Sequence, residues 1–206
     1  MTMEIIKSSV KDVELVERRR KQIIQSAITL FQQKGFHRTT TKEIAKESGF
    51  SIGTLYEYVR TKEDVLFLVY EAINDRVYNH LETSVELKHP SLENLYSAID
   101  SYYRLIDDMQ EEVVILYQEV KSLAPHLRES ILDKEREMVM FLRNALLLSM
   151  PKGFDEQRAE LLANNIFVQG QMWGFRRWLL KKQFTLDDYI KYQIEFLKCS
   201  LNDKSN

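Results

Sequence analysis

The stretch Thr40-Thr41-Lys42-Glu43-Ile44-Ala45-Lys46-Glu47-Ser48-Gly49-Phe50-Ser51-Ile52-Gly53-Thr54-Leu55-Tyr56-Glu57-Tyr58-Val59 governs the reading of the whole chain. Thr40 stands three residues before Glu43, the spacing of a reciprocal capping box, so a short helix is expected to begin at Thr41. It carries Ile44, Ala45 and Ser48 and stops at Gly49. Gly49 and Phe50 alone separate it from Ser51, which suits the cap of a second helix, Ile52 to about Val59. In that helix Leu55 and Val59, four apart, face inward and leave Ile52, Gly53, Thr54, Tyr56 and Tyr58 outward. Gly53 lowers helix propensity by about 1 kcal/mol, which makes sense where a backbone must approach something closely.

Working outward, helical periodicity runs almost end to end. Ile24, Ala27, Ile28 and Phe31 share one face of a helix from about Asp12 to Lys34, and Gly35 suits its C-terminal turn. Thr61, with Asp64 three residues on, caps a fourth helix striped by Val65, Val69, Ala72, Ile73 and Val77. Further helices are expected from about Ser91 to Met109, Glu111 to Leu123 and Pro125 to Ser149. Met150-Pro151-Lys152-Gly153 breaks the chain; Asp155 then caps a helix ending near Gln183, and Thr185 caps a last one to about Leu201. The tail 202–206 is expected to fray. With no strand pattern, the fold class is all-α, about nine helices.

Composition narrows the function classes. The 206 residues, 44% hydrophobic with only 6 Gly and 3 Pro, suit packed helices. Residues 1–62 carry a balance of +5 and residues 63–206 one of −7, so a polyanionic partner is expected for the first part alone. A single Cys199 leaves no internal disulfide and no cysteine zinc site. No window approaches the ~20 apolar residues of a membrane span, and the N-terminus has no sustained signal-peptide core, so a soluble cytoplasmic protein without a membrane partner is expected. His37, His80, His89 and His126 show no metal-ligand spacing, and neither a glycine-rich phosphate loop nor a nucleophile motif is present. Asp107-Asp108 and Glu111-Glu112 read better as a helix boundary than as an acid–base pair. No catalytic residue, cofactor or metal is expected; an enzyme and a lipid carrier are the two classes weighed against a polyanion-binding protein.

Two short helices joined by a tight Gly-containing turn are the frame of DNA-reading helix-turn-helix units, in which the first braces on phosphate and the second enters the major groove. The chain from about Arg20 to Phe67 resembles the DNA-binding domain of the TetR family. The residues that carry the resemblance are Ala27-Ile28-Thr29-Leu30-Phe31, Gly35-Phe36, Thr40-Thr41-Lys42-Glu43-Ile44-Ala45 and Gly53-Thr54-Leu55-Tyr56-Glu57-Tyr58-Val59-Arg60-Thr61-Lys62-Glu63-Asp64-Val65-Leu66. Val59 and Phe50 depart from that family's commoner Phe and Val, apolar for apolar. The resemblance implies an N-terminal three-helix helix-turn-helix domain with an N-terminal arm (1–62) and a larger C-terminal helical ligand-binding and dimerisation domain (63–206). It implies phosphate contacts at Thr40, Thr41, Lys42, Tyr58 and Lys62, and base or backbone contacts from Ser51, Ile52, Gly53, Thr54 and Tyr56. Neither Ile52 nor Gly53 can make bidentate bonds to a base, so thymine methyls and DNA shape are the expected readout. Arg18-Arg19-Arg20-Lys21 fits either an arm contacting the minor groove or phosphate, or an exposed helix start.

In the larger half, Ala163, Ile166, Phe167, Gly170, Trp173 and Gly174 form a stripe with two glycines four apart. Such a stripe packs internally or against a second copy; the resemblance favours a homodimer seam through Ile166, Phe167, Gly170, Trp173 and Gly174. Bulky, deformable groups (Tyr102, Tyr103, Met109, Tyr117, Met138, Met140, Phe141, Met150) suit an ordinary core or a ligand pocket, for which Tyr103, Tyr117, Met138, Phe141, Trp173 and Arg177 are the candidates. Leu116-Tyr117-Gln118-Glu119 and Leu127-Arg128-Glu129 resemble, more loosely, a subgroup answering to fatty acyl-coenzyme A. The expected partners are double-stranded DNA, a second copy and an apolar small-molecule effector such as an acyl-CoA. Arg176, Arg177, Lys181 and Lys182 suit an anionic head group or a solvated helix end.

Overall fold

Gly35 and Gly49 are where the first three helices separate. Both take positive φ (78° and 74°), a backbone region that a Cβ would strain. In the computed structural model, which describes residues 6–85, 87–151 and 154–202, they follow α1 (Val13–Lys34) and α2 (Thr41–Glu47). The chain continues through α3 (Ile52–Tyr56), α4 (Lys62–Ser84), α5 (Leu92–Asp108) and α6 (Gln110–Glu119). A 3-10 turn (Val120–Ser122) leads to α7 (Pro125–Ser149), α8 (Glu156–Phe175), α9 (Arg177–Leu180) and α10 (Leu186–Asn202). No strand occurs among the described residues. None of their helices is long and apolar enough to cross a membrane. The tail 203–206 and the Lys152-Gly153 break lie outside the described residues, as do residues 1–5 of the expected arm.

The expected caps form. Thr40 and Glu43 close the capping box of α2, and Thr61 with Asp64 and Thr185 with Asp188 repeat it at the starts of α4 and α10. Two details differ. The buried face of α1 is Ile23, Ala27 and Phe31 with Val16, while Ile24 and Ile28 are only half-buried, because the contacts with α2 select a stripe turned by one residue. The single helix expected over 155–183 is interrupted at Arg176, whose backbone (φ −105°, ψ 16°) closes α8 before α9 begins. No Gly or Pro marks that break.

The chain divides into two units, Met1–Asp75 with Ile115–Leu132 and Arg76–Val114 with Asp133–Asn206. In the first, the opening of α4 is buried on all sides, Val65 through Tyr70 without a gap, and the Tyr70 hydroxyl donates to the carbonyls of Ile115 and Leu116. In the second, α5 lies on α8 and α10. Tyr102 stacks on Phe167 at 6.1 Å, and its hydroxyl donates to the Phe167 carbonyl at 2.9 Å. Tyr103 does the same to the Ile166 carbonyl at 3.1 Å.

Candidate nucleic-acid interface

Three helices of the first unit hold one surface in place. Glu43 ties α2 to its own cap at Thr40 and to Lys34 at the end of α1, 2.5 Å away. The hydrogen bonds from Lys34 and then Thr40 hold its carboxyl at about 2, well below the ordinary 4.5. Ser51 caps α3 by accepting from the Thr54 amide at 3.0 Å, and the two hydroxyls meet at 2.9 Å. Thr41 and Tyr56 share a hydroxyl contact of 3.3 Å that registers α2 against α3. Leu55 and Val59 are buried, as their spacing requires.

What remains uncovered is a polar-apolar face. Ser51, Ile52, Gly53 and Tyr56 are exposed, Tyr56 by half and Ile52 by 38%. Thr40 and Lys42 are exposed at the start of α2, and Thr41 and Thr54 are half-buried. A Cβ added at Gly53 would meet only Ser51 Oγ, at 3.6 Å, so the interior of the protein does not demand glycine there. Half of Tyr56 is open to an outside partner.

Two expected contact residues are placed otherwise. Tyr58 is 3% exposed, packed beside Phe50 at 6.4 Å, and does not stand outward. The reason is the length of α3: it ends at Tyr56 instead of Val59, and the Tyr58 and Val59 amides both turn back to the Leu55 carbonyl. Lys62 directs its ammonium to the carbonyls of Phe36 (2.9 Å) and His37 (3.3 Å) and lies over the Phe36 ring at 4.2 Å. Two of its three donors therefore fasten the loop after α1, leaving one for any outside anion.

The basic run divides similarly. Arg19 lies 4.9 Å over the Phe50 ring, and Arg20 donates to the carbonyls of Ile6 and Tyr58, so both are structural; Arg18 and Lys21 are exposed. A contact the sequence did not suggest joins residues 8–9 to the end of α3: the Ser9 amide and both serine hydroxyls donate to the Glu57 carbonyl. Serines in an irregular segment carry no positional signal in the sequence.

The residues of the expected dimer seam are placed inward. Ile166, Phe167, Gly170, Trp173 and Gly174 are all buried inside the second unit. A Cβ at Gly170 would lie 2.5 Å from the Tyr102 ring, and one at Gly174 3.2 Å from Ile106 and Val113. The glycines admit the side chains of α5 and Val113 of α6. On the same two helices, Leu161 of α8 and Tyr192 and Phe196 of α10 are exposed. Met172, Leu179, Leu180 and Phe184 join the two α10 aromatics around an apolar cavity of about 620 Å³.

The expected ligand set is not gathered in one place either. Tyr117 points outward in the first unit. Tyr103, Met138 and Trp173 are buried in the second, and Phe141 sits beside Tyr78 at 6.0 Å. Tyr103 lines one cavity, of about 260 Å³, and Arg177 another, of about 600 Å³; Met138, Phe141 and Trp173 line neither, nor the apolar cavity beside α10. Trp173 donates to Asp107 at 2.8 Å, and Arg177 pairs with the same carboxylate at 3.1 Å. Among the described residues, no group of three or more His, Cys, Asp or Glu side chains is placed to hold a metal ion.

A short capped helix held by a braced neighbour, with its far side bare, defines a DNA-binding helix-turn-helix regulator. Comparison with known proteins agrees: the family model for bacterial regulatory proteins of the tetR family matches residues 23–69. The HTH-type transcriptional regulator HbdR of Aromatoleum sp. (strain CIB) is 32% identical over 190 residues, 91% of this chain and 82% of that one. A tetR-family regulatory protein from Rhodococcus RHA1 superposes with a TM-score of 0.72 at 22% identity, over 89% of this chain and 95% of the other. The transcriptional regulator FadR from Bacillus subtilis, solved in complex with stearoyl-CoA, superposes with a TM-score of 0.69 at 19% identity, covering 90% and 99%. The chain belongs to the TetR family of bacterial transcriptional regulators.

Proposed function

We propose that the protein is a ligand-responsive repressor: a homodimer that holds a palindromic operator through α2 and α3 and releases it when a small apolar effector, such as a fatty acyl-CoA, binds the larger domain. Residues 1–62 act as the reading head and 63–206 as the effector and dimerisation domain. The observation that carries the reading is the bare face of α3, where Ile52, Gly53 and Tyr56 are exposed on a helix capped by Ser51 and braced by Thr41. Its residue types favour thymine methyls and groove shape over guanine-directed hydrogen bonds. Thr40, Thr41 and Lys42 contribute phosphate contacts, as does the remaining donor of Lys62.

The second copy docks on the outer face of α8 and α10, through Leu161, Met172, Tyr192 and Phe196, in place of the buried glycine stripe. A two-fold dimer presents two α3 helices to half-sites about one helical turn, ~34 Å, apart. The helix α4, 23 residues or about 35 Å long, begins beside α3 and connects reading head to effector domain. An effector that prefers one tilt of α4 changes the spacing of the two heads, and a ligand indifferent to the tilt changes nothing. The acyl-CoA class is supported by the looser sequence resemblance and by the stearoyl-CoA complex of the Bacillus subtilis neighbour.

The test is fluorescence anisotropy of a labelled duplex from the promoter of the protein's own gene, titrated with protein and then with palmitoyl-CoA, free CoA and palmitate. Salt-dependent binding of that duplex, tighter than of a scrambled one and reversed by the thioester alone, is the expected result. Equal affinity for both duplexes would remove the operator reading; unchanged binding in all three ligands would remove the effector class.

A further inference from the structure

The short helix α9 separates two surfaces. Leu179 and Leu180, with Arg176, line the apolar groove. Arg177, Trp178, Lys181 and Lys182, with Gln110 from the start of α6, line a different, open cavity of about 600 Å³. The chemistry there is unlike the rest of the domain. Four cations and no carboxylate fall within residues 176–182, in a segment, 63–206, whose balance is −7. In their midst Trp178 is 70% exposed, the most exposed large apolar side chain among the described residues. An indole left open among cations offers one thing water does not need, a flat face for a planar ring.

Arg177 is also tied inward. It pairs with Asp107, which accepts from the Nε1 of buried Trp173, and Trp173 packs on Tyr189 at 4.9 Å. A charge arriving beside Arg177 competes with Asp107 and so bears directly on the α5–α8–α10 core. That is the property expected of an effector head-group site.

We propose that this cavity binds the phosphorylated adenine-nucleotide end of a coenzyme A thioester, the adenine against Trp178 and the phosphates among Arg177, Lys181 and Lys182. The assignment rests on the acyl-CoA reading above and locates its polar half. A fatty-acid carboxylate brings one charge and no ring, and leaves both the indole and most of the cations unused. Duplex DNA presents phosphates but keeps its bases stacked, so it too leaves Trp178 unanswered. A nucleotide with several phosphates uses both features: multiple charges for the cations, an unstacked base for the indole. The Gln110 amide, donor and acceptor at once, suits a purine edge.

The test is isothermal titration of the full-length protein with coenzyme A, adenosine 3′,5′-bisphosphate and tripolyphosphate, for the wild type, Trp178→Ala and the double variant Lys181→Ala/Lys182→Ala. Operator affinity and melting temperature are measured alongside. Coenzyme A and the bisphosphate are expected to bind the wild type, and each variant to lose at least about tenfold in affinity, with operator affinity and melting temperature unchanged. Wild-type affinity in Trp178→Ala overturns the proposal, as does tripolyphosphate binding as tightly as the bisphosphate, which marks a plain anion patch. A fall in operator affinity in the lysine variant overturns it in favour of a DNA contact. If thioesters release the operator equally from wild type and variants, the effector reading stands and the head-group site falls. If no thioester releases the operator, the effector reading fails, and the bisphosphate titration judges the cavity alone.

Discussion

Tyr56 and Tyr58 sit two residues apart and have opposite fates. Tyr56, half exposed and hydroxyl-bonded only to Thr41, is free to touch a base edge or backbone. Replacing it with Ala is expected to leave the melting temperature within about 1 °C and to weaken operator binding roughly tenfold, read by anisotropy. Tyr58 is packed, so its truncation to Ala leaves a cavity and is expected to destabilise the fold by about 3 kcal/mol in urea. If Tyr58→Ala melted like the wild type, the buried placement would be wrong. Glu43 adds a pH dependence. Its folded carboxyl is held at about 2 against an ordinary 4.5, so the stability it contributes is complete above about 4.5 and fades as pH falls toward 2. Glu43→Gln is therefore expected to lower the melting temperature at pH 7 and to lower it much less at pH 2; an equal drop at both would mean the ion pair and cap are not responsible. Lys42, exposed on α2, is expected to lower the slope of log affinity against log salt by about one when changed to Ala.

At the scale of elements, glycines divide by what surrounds them. Gly53 lies within α3 with open space around it, so Gly53→Ala is expected to raise stability by up to about 1 kcal/mol while reducing operator affinity, because the new methyl stands on the reading face. Gly170 faces a ring that has nowhere to go: Tyr102 is fully buried and hydrogen-bonded to Phe167. Gly170→Ala is expected to cost about 1–3 kcal/mol and to leave DNA contacts per folded molecule unaltered. Differential scanning calorimetry with anisotropy separates the two cases, and a stability loss at Gly53 with none at Gly170 would reverse the assignment. The periodicity of α8 showed that this helix was apolar on a glycine-bearing face. It did not show what that face met, since small residues admit a neighbouring helix of the same chain as readily as one from another copy.

For the whole molecule, the proposed self-association uses the surface that stays uncovered once the second unit is packed. Phe196, 63% exposed on α10, is the central candidate. Phe196→Glu is expected to sediment as a monomer at micromolar concentration where the wild type sediments as a dimer, and to bind a full palindromic operator far more weakly while keeping its melting profile as a folded chain. A wild-type monomer in that experiment, or a dimer in the variant, would send the interface elsewhere.

The all-α class, the caps at Thr40, Thr61 and Thr185, and the helix-turn-helix were settled by sequence alone, because hydrophobic period and capping chemistry act within a few residues of themselves. Outwardness of Tyr56 belongs with them, since one turn of helix decides it. Burial of Tyr58, the carbonyl contacts of Lys62, the inward use of Gly170 and Gly174, and the break at Arg176 were decided only by tertiary structure. The side-chain placements depend on partners elsewhere in the chain: Phe50 for Tyr58, Phe36 for Lys62 and Tyr102 for Gly170. A pattern along one helix states that a face is apolar or small, and the packed neighbour states what that face is for.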